Sequence, residues 1–425
     1  MAGSMKILLL NQTFYPDRVA TSQQLTDLAD FLVSQGNEVS VLAGRRGYED
    51  RDKVFPQFET FKGVKIFRVQ STGFGKQRFI LRVFDALTFN LALAWKLVFF
   101  PRQDVVVSFT SPPLIGILGS LFCFFKGGKA VQWLMDINPE AAFAVGYINR
   151  TSLVGRFLNW VFDLTLKASE HIVVLDRWMK KVVVEHGAEE ERVSIIHPWS
   201  LFDPTTELKQ SQDSVFREQN NLRNKTVIMY SGNHSVVHPL YTLMAAAKQL
   251  RDDPSIVFAF VGGGLRSLEV ADFKEKEGLD NIVQMPLIPR EQLADVLCGI
   301  DAHVVVMGEA VNGLVHTSKV YGVLATGRPI IYISPKQSHL TDVLQRCQQT
   351  YHAEHGEVEK VVAAIKKIQK LSVSEKEEAA RENKTFFRNQ FSRNRCFAIF
   401  SEEVLKVPQT KGVLGHEDMA SSYSQ

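Results

Sequence analysis

The chain has 425 residues, of which 45% are hydrophobic and 22% are charged. This length suits two domains of roughly 200 residues, each large enough to bury a core of its own. The formal net charge of +3 is too small to indicate nucleic-acid binding, and the four cysteines lie far apart, without the spacing of a metal site. We therefore expect a globular protein with reduced thiols, no nucleic-acid partner and no metal centre.

The apolar runs of the chain do not predict an integral membrane protein. The N-terminal run, residues 5–10, is shorter than the apolar core of a secretory signal, so we expect a cytoplasmic protein. Residues 79–100 are long enough to span a bilayer, but they include Arg82, Asp85 and Lys96. Each charge near the centre of a span costs about 2.5–3.5 kcal/mol, against only about 0.3–0.6 kcal/mol gained per Leu or Phe.

An amphipathic helix fits residues 79–100 better, and it leaves two interpretations open. Its apolar stripe consists of Ile80, Phe84, Leu87, Leu91, Trp95 and Val98. The cations that accompany it are Arg78, Arg82, Lys96, Arg102, Lys126 and Lys129. This combination can dock on anionic lipid headgroups, which would make the protein peripheral on the inner face of the plasma membrane. The alternative is a helix that faces the core and exposes a basic side to solvent.

Short apolar strands alternate with helical patterns along the first half of the chain. The predicted strands are 6–11, 38–44, 63–69, 104–110, 129–136 and 171–176. The predicted helices are 21–35, 79–99, 112–125 and 151–169. Strands that are almost continuously Val, Ile and Leu, each followed by a helix, predict a parallel sheet covered on both faces.

The alternation restarts after a strand at 194–199 and a polar linker at about 203–224. The strands of this second series are 225–232, 255–262, 281–285, 302–307 and 329–334, and its helices are 239–251, 265–277, 290–298 and 317–326. Two such series predict an α/β fold of two Rossmann-like, doubly wound domains that face each other across a cleft. The expected divisions are a first domain 5–200, a second domain 201–385, a C-terminal helix 386–407 that packs back on the first domain, and a disordered tail 408–425.

Two strand ends of the second series carry glycine-containing turns suited to ligand binding. The residues are Gly232, Asn233, His234, Gly262, Gly263, Gly264 and Arg266. A strand end that turns through glycine into a helix is the usual ligand position in an open parallel sheet. The second turn lacks the GxGxxG spacing, which disfavours dinucleotide binding. The alternative for the first turn is a connection that needs Gly and Asn only for their backbone angles.

A third segment offers the groups that an anionic phosphate needs. Thr317 and Ser318 carry hydroxyls, Lys319 carries a positive charge, and the following backbone amides lie at a helix N-terminus. The alternative is an ordinary N-capped helix that ends at Gly327. Three such segments in one half of the chain favour a phosphate site.

The first domain contributes a candidate carboxylate and a candidate ligand-binding loop. Asp136 follows the strand 129–136 and can orient a sugar hydroxyl or face developing positive charge, although a loop Asp can also serve only as a turn former. Tyr15, Thr21 and Ser22 follow the first strand and would border the same cleft. Thr21 or Ser22 can equally be the N-cap of the next helix.

The order of these segments, over about residues 5–405, resembles that of GT-B-fold glycosyltransferases of family 4, and most nearly the exopolysaccharide and colanic-acid type. The matching motifs are SPPLIGILG, DINPEAAFAVG, YSGN and TSKVYGVLATGRP. The resemblance implies a retaining hexosyltransferase whose co-substrate is a UDP- or GDP-linked sugar, with no further cofactor required. The acceptor would be lipid-linked or a saccharide, in the synthesis of cell-surface polysaccharide or glycolipid.

The resemblance also implies roles for individual residues. The donor nucleotide would lie near the glycine turns and Ser318-Lys319, with Tyr321 beside it. Asp136, on the acceptor side, and Glu309 would be catalytic, although Glu309 lies farther upstream than the first Glu of the family's usual pair. Tyr15, Thr21 and Ser22 would also lie on the acceptor side.

Three positions depart from the family pattern. Gly322 stands where the second Glu usually contacts the ribose. His234 and His238 occupy the region where an Arg and a Lys are usual. Two other functions therefore stay open: a sugar-nucleotide 2-epimerase with the same architecture, and a non-catalytic partner subunit that has lost the ribose contact.

Overall fold

The computed structural model describes residues 4–17, 19–47, 52–74, 79–200, 214–288 and 290–406. These residues form two α/β units, built around an eight-stranded and a six-stranded sheet. The C-terminal residues 408–425, the side chains of Ile80 and Arg82, and all of Arg78 lie outside the described part.

The first unit carries the eight-stranded sheet. Its strands are β1 (Lys6–Leu10), β2 (Glu38–Gly44), β3 (Phe58–Phe61), β4 (Val64–Val69), β5 (Val105–Ser108), β6 (Lys129–Trp133), β7 (His171–Val174) and β8 (Val193–Ile195). Its helices are α1 (Ala20–Ser34), α2 (Phe79–Val98), α3 (Ile115–Lys126), α4 (Glu140–Ala144), α5 (Leu153–Ala168) and α6 (Arg177–Glu185). The strand order is β3-β4-β2-β1-β5-β6-β7-β8, and only β3 runs antiparallel to its neighbour.

The second unit carries the six-stranded sheet. Its strands are β9 (Thr226–Ser231), β10 (Ile256–Val261), β11 (Ile282–Met285), β12 (Ala302–Val306), β13 (Ile330–Ile333) and β14 (Thr350–Ala353). Its helices are α7 (Val215–Gln219), α8 (Tyr241–Gln249), α9 (Arg266–Glu277), α10 (Arg290–Cys298), α11 (Lys319–Thr326), α12 (His339–Leu344) and α13 (Val358–Lys370). The order β11-β10-β9-β12-β13-β14 is parallel throughout.

These sheets confirm the predicted α/β fold with parallel, doubly wound sheets. Apolar continuity revealed the central strands because both faces of a parallel sheet are covered: all six residues of β10 are buried. Strands β3 and β14 were not predicted, because they lie at sheet edges where the burial pattern alternates or is incomplete. Helices α4, α6, α12 and α13 were not predicted either, and the helix α7 falls within the expected linker.

The chain returns to the first unit at its C-terminal end. Two further helices, α14 (Val373–Phe391) and α15 (Arg393–Ile399), follow the second sheet. Phe397 stacks on Phe31 of α1 with 4.5 Å between the ring centroids, and Phe400 stacks on Trp133 at 5.3 Å. These aromatic contacts place the end of the described chain in the core of the first unit.

The apolar stripe of α2 faces solvent rather than the core. Phe89 and Leu93 on the opposite side are fully buried, whereas Leu91 and Trp95 are 63% and 70% exposed. The structure therefore contradicts the core-facing alternative for this stripe, because the helix packs on the core through its other face. Among the helices of the described chain, none is long and apolar enough to cross a membrane.

Candidate active site between the two sheets

The second sheet reverses its winding between β9 and β12, and ligands bind at such switch points in open α/β sheets. Loops of the two units meet beside this edge. The amide of Ile137, after β6, donates to the carbonyl of Leu314 at 2.8 Å, and Asp136 forms a backbone bridge with Val315. The segment before α11 is thus held against the segment after β6.

The glycine turns after β9 and β10 lie too close together for side chains. Gly262 has a φ of +123°, and a Cβ there would collide with the carbonyl of Gly232. Gly264 has a φ of +137°, and its Cβ would lie 2.6 Å from both Asn233 Oδ1 and the carbonyl of His234. These positions require glycine because left-handed backbone and close approach coincide. By contrast, a Cβ on Gly263 would meet no atom within 4 Å, and the φ of Gly263 is not positive.

Lys319 begins α11 and reaches back over the end of β9. Its Nζ donates to the Tyr230 hydroxyl at 2.8 Å and lies 4.1 Å from the centroid of that ring. Burial lowers the pKa of Lys319 from 10.5 to about 7. Within the described residues, Lys319 has no carboxylate at ion-pair distance. An anionic ligand would therefore supply the counter-charge that no described carboxylate supplies.

Two buried histidines lie in the same cationic surroundings. His234 is 1% exposed, and neither ring nitrogen makes a hydrogen bond of normal geometry within the described chain. Burial, and then the charge of Lys319, lower the pKa of His234. The same two causes hold the pKa of His238 well below its usual value. Both rings are therefore neutral in the free protein. A bound anion would favour the protonated rings, in which both nitrogens donate hydrogen bonds.

Arg266 completes this group, which we call the cationic cluster: His234, His238, Arg266 and Lys319. The guanidinium donates from Nη2 to the Val236 carbonyl at 3.0 Å and from Nη1 to Glu269 at 2.7 Å. Its Nε is buried without a hydrogen-bond partner among the described residues. The cluster therefore combines positive charge with unused donors at the edge of the second sheet.

The segment before α11 does not behave as an ordinary N-capped helix start. Ser318 occupies the N-cap position, but its side chain accepts no capping hydrogen bond. The Thr317 amide donates to His339 Nε2 at 3.1 Å, and the Thr317 hydroxyl is buried without a partner in the described chain. The hydroxyls predicted to bind phosphate are thus not used as caps.

Tyr321 lies in a network that joins the two units. Its hydroxyl lies 3.0 Å from His316 Nε2 and 3.3 Å from His197 Nδ1, and His316 Nδ1 lies 2.6 Å from Asp176 Oδ2. Tyr321 is completely buried there, and burial raises its pKa. Tyr321 was predicted to lie beside the donor, and this role stays a prediction. Asp176, His197 and His316 were not predicted, because they are far apart along the chain.

Asp176, His316 and His339 bring ligand-type atoms within 4.8 Å of one another, close enough to hold a metal ion. Their hydrogen bonds argue for a network instead. His339 Nε2 accepts from the Thr317 amide, so Nδ1 carries the ring proton and has no free lone pair for a metal. His316 already uses both ring nitrogens on Asp176 and Tyr321.

Asp136 of the first unit lies beside the segment before α11, through its backbone bridge with Val315. It is partly buried, and burial raises its pKa from 3.8 to about 6, against an opposing effect of His316. At neutral pH it is therefore mostly ionised but costly to keep charged. A hydroxyl donor or a nearby positive charge would stabilise the ionised form of this carboxylate.

The other predicted residues lie around this cleft in different settings. Tyr15 stacks on Phe61 with 3.7 Å between centroids. Helix α1 begins at Ala20 with Val19 as its N-cap, so Thr21 and Ser22 lie inside its first turn and neither is a cap. Glu309 is exposed, in a 3₁₀ turn after β12. The roles of these four residues stay predictions.

Known proteins with this architecture support the resemblance. No family model matches the chain. WcaI of Escherichia coli (strain K12), named as a colanic acid biosynthesis glycosyl transferase, is 24% identical over 341 residues, which are 76% of this chain and 82% of that protein.

Solved structures match over almost the whole chain. Sucrose-phosphate synthase from Thermosynechococcus elongatus has a TM-score of 0.74 at 13% identity, covering 94% of this chain and 98% of that one. HepE of Anabaena, in complex with UDP and glucose, has a TM-score of 0.70 at 14% identity, covering 95% and 100%. The chain thus has the GT-B fold, and its resemblance to glycosyltransferases of the colanic-acid type is confirmed.

Proposed function

We propose that the protein transfers a sugar from a nucleoside-diphosphate sugar to an acceptor in the synthesis of cell-surface polysaccharide or glycolipid. The observation that carries this proposal is the cationic cluster at the switch point of the second sheet. Lys319 is half-buried, titrates near neutral pH and has no carboxylate partner in the described chain, and the diphosphate of a donor is the counter-charge that fits.

The reaction we propose retains the anomeric configuration and needs no protein nucleophile. The bond between the sugar carbon and the donor phosphate breaks, the acceptor oxygen bonds to that carbon from the same face, and the acceptor proton passes to the leaving diphosphate. Lys319 would stabilise the charge that develops on the diphosphate. Asp136 would hold the acceptor or face the positive charge that develops at the sugar carbon.

The donor we propose is a UDP- or GDP-linked hexose, with no further cofactor. The complex of HepE with UDP and glucose supports a uridine nucleotide in this fold. The name of WcaI supports a role in surface polysaccharide. Gly322 leaves the ribose without the family's carboxylate, so another group must hold it.

We further propose that the protein acts at the inner face of the plasma membrane, on a lipid-linked or saccharide acceptor. The exposed apolar stripe of α2 supports this location. Trp95→Glu should reduce co-sedimentation with phosphatidylglycerol vesicles, because a charge on the stripe opposes insertion between headgroups. Tyr241→Glu, on an exposed tyrosine of the second unit, is the matched control. Equal binding by both variants would contradict docking through α2.

The decisive experiment for the reaction is binding of UDP and of GDP, each with and without magnesium, measured by calorimetry and thermal shift. A shift with one nucleotide supports a donor site and identifies the base. No shift with either nucleotide would favour a non-catalytic partner subunit. If a nucleotide binds, product analysis with the matching sugar nucleotide separates transfer from 2-epimerisation, since an epimerase needs no acceptor.

A further inference from the structure

Three neighbouring helices of the first unit expose large apolar side chains. α3 packs against α2 on one side and against α5 on the other. Large apolar side chains that are between 54% and 80% accessible there include Leu91 and Trp95 of α2, Phe124 and Phe125 of α3, and Phe157 and Trp160 of α5. Contiguous apolar surface of this kind on a protein monomer marks an interaction site. We call it the apolar face.

The charges on these helices suit an anionic partner. Lys96, Arg156 and Lys167 are exposed on α2 and α5. The acidic side chains of the same described helices are otherwise engaged: Asp85 is buried and accepts from the Thr72 hydroxyl at 2.8 Å, and Asp163 Oδ1 lies 2.6 Å from His186 Nδ1. An apolar surface rimmed by cations fits a bilayer that contains anionic lipid.

A groove beside the apolar face includes a residue of the loop that carries Asp136. It is a partly open cavity of about 100 Å³ at the carboxyl ends of β5 and β6, lined by residues of α3, α4 and α5 together with Asn138. Asn138 lies two positions after Asp136. Helix α5 serves both surfaces, because Leu158 and Val161 line the groove while Phe157 and Trp160 belong to the apolar face.

The chemistry of the groove favours hydrocarbon over saccharide. Most of its lining is apolar, including Pro113, Leu114, Ala142 and Ile148. Two of its polar side chains already donate within the protein: Gln132 Nε2 to the Gly116 carbonyl at 3.2 Å, and the Thr165 hydroxyl to the Val161 carbonyl at 2.7 Å. A sugar ring would leave its hydroxyls poorly paired there, whereas an alkyl or isoprenyl chain loses nothing.

We propose that this groove binds the first carbons of the hydrocarbon chain of a lipid-linked acceptor, while the apolar face rests on the bilayer from which that lipid comes. The inference rests on the proposed function, and it selects a lipid-linked acceptor over a free saccharide. The volume of the groove is enough for only part of the hydrocarbon chain. At about 10–15 Å³ for each water-sized group, it holds on the order of seven such groups. The remainder of the chain would stay in the bilayer, and the head group would reach the cleft beside Asp136.

The test is photo-labelling of the full-length protein with farnesyl phosphate that carries a diazirine on its tail, followed by mapping of the labelled peptides. We expect labels on α4 and α5 around the groove. Ala142→Phe fills the groove and should lower this labelling about tenfold, equivalent to about 1.4 kcal/mol. Ala144→Phe, on the exposed side of α4, is the matched control. Ile148→Trp is a second filling variant, and thermal melting verifies that each variant is folded.

Competition experiments distinguish binding through the hydrocarbon tail from binding through the phosphate. Unlabelled farnesyl phosphate should remove the label, and inorganic phosphate should not; removal by inorganic phosphate would overturn the proposal. Labelling that persists in both filling variants, or that occurs only on the apolar face, would also overturn the proposal. UDP binding is measured on the same samples. A UDP shift without groove labelling overturns the groove alone, whereas groove labelling without a shift for UDP or GDP overturns the proposed function alone.

Discussion

Asp176, at the N-terminus of α6, lies 2.6 Å through Oδ2 from Nδ1 of His316, which belongs to the segment just before Lys319. The other carboxylate oxygen accepts from the amides of Trp178 and Met179, so one side chain of the first unit caps a helix and holds the segment before α11 of the second. Burial alone would raise the pKa of Asp176, but His316 outweighs it and holds that pKa well below its usual range.

This buried pair should matter more than an exposed pair on α6. Asp176→Ala leaves a buried His316 without its partner and should lower the free energy of unfolding by about 3 kcal/mol. The control is Glu185→Ala on the same helix, because Glu185 meets Lys181 at 3.9 Å with both side chains more than 60% exposed, and such pairs contribute about 1 kcal/mol or less. Urea titration of both variants measures the difference. Since the folded pKa of Asp176 is depressed, the wild-type advantage is present above about pH 4 and lost as the pH falls below it. Equal losses in the two variants would contradict this account.

Lys319 should make nucleotide binding depend on pH. Its pKa in the free protein is about 7, so the ammonium loses its proton as the pH rises through neutrality. UDP or GDP affinity should therefore fall between about pH 6 and pH 9, and Lys319→Ala should weaken it roughly tenfold or more at the lower pH. Lys319→Arg should flatten the profile, since a guanidinium stays charged. Calorimetry across this range checks both variants, and an unchanged profile in Lys319→Arg would exclude Lys319 as its source.

Asp136→Asn should lower turnover and raise the stability of the protein. The folded pKa of about 6 lies above the ordinary 3.8, so the folded state binds the proton more tightly and stability falls as the pH rises from about 4 to about 6. Removing the charge should then stabilise the protein at pH 8, by up to about 3 kcal/mol, since one pKa unit is worth about 1.4 kcal/mol. Turnover should drop while nucleotide affinity changes little. A variant that is less stable and fully active would make Asp136 structural.

The glycine turn after β10 offers a matched pair of substitutions. Gly264→Ala places a Cβ 2.6 Å from the His234 carbonyl on left-handed backbone, so the turn must shift and nucleotide affinity should fall at least several-fold. Gly263→Ala meets no protein atom within 4 Å and should leave the melting temperature nearly unchanged. If both variants bind equally well, the geometry of this turn does not shape the site.

Gly322→Glu tests the missing ribose contact directly. A Cβ at Gly322 meets nothing within 4 Å, and replacing glycine inside α11 should add about 0.5–1 kcal/mol of stability. If the ribose lies against the first turn of α11, the new carboxylate should also tighten nucleotide binding. Gly322→Gln separates charge from helix propensity. A higher melting temperature without tighter binding in Gly322→Glu would place the ribose elsewhere.

Local pattern was enough to locate most of the strands and the segments at their ends. Residues such as those of β10 are apolar without interruption because both faces of the sheet are covered, and a parallel sheet brings its carboxyl ends to one edge. The positions of Gly262, Lys319 and Asp136 around one cleft could therefore be expected from their places after strands or before a helix.

Tertiary structure alone decided two other matters. Asp176 and His316 are 140 positions apart, and no spacing rule signals that pairing. The stripe of α2 has the same helical period whether it faces a core or a membrane, and only the packing of Phe89 inward leaves Trp95 outside. Sequence period determines that a helix has two faces, and the rest of the fold determines which of them meets water.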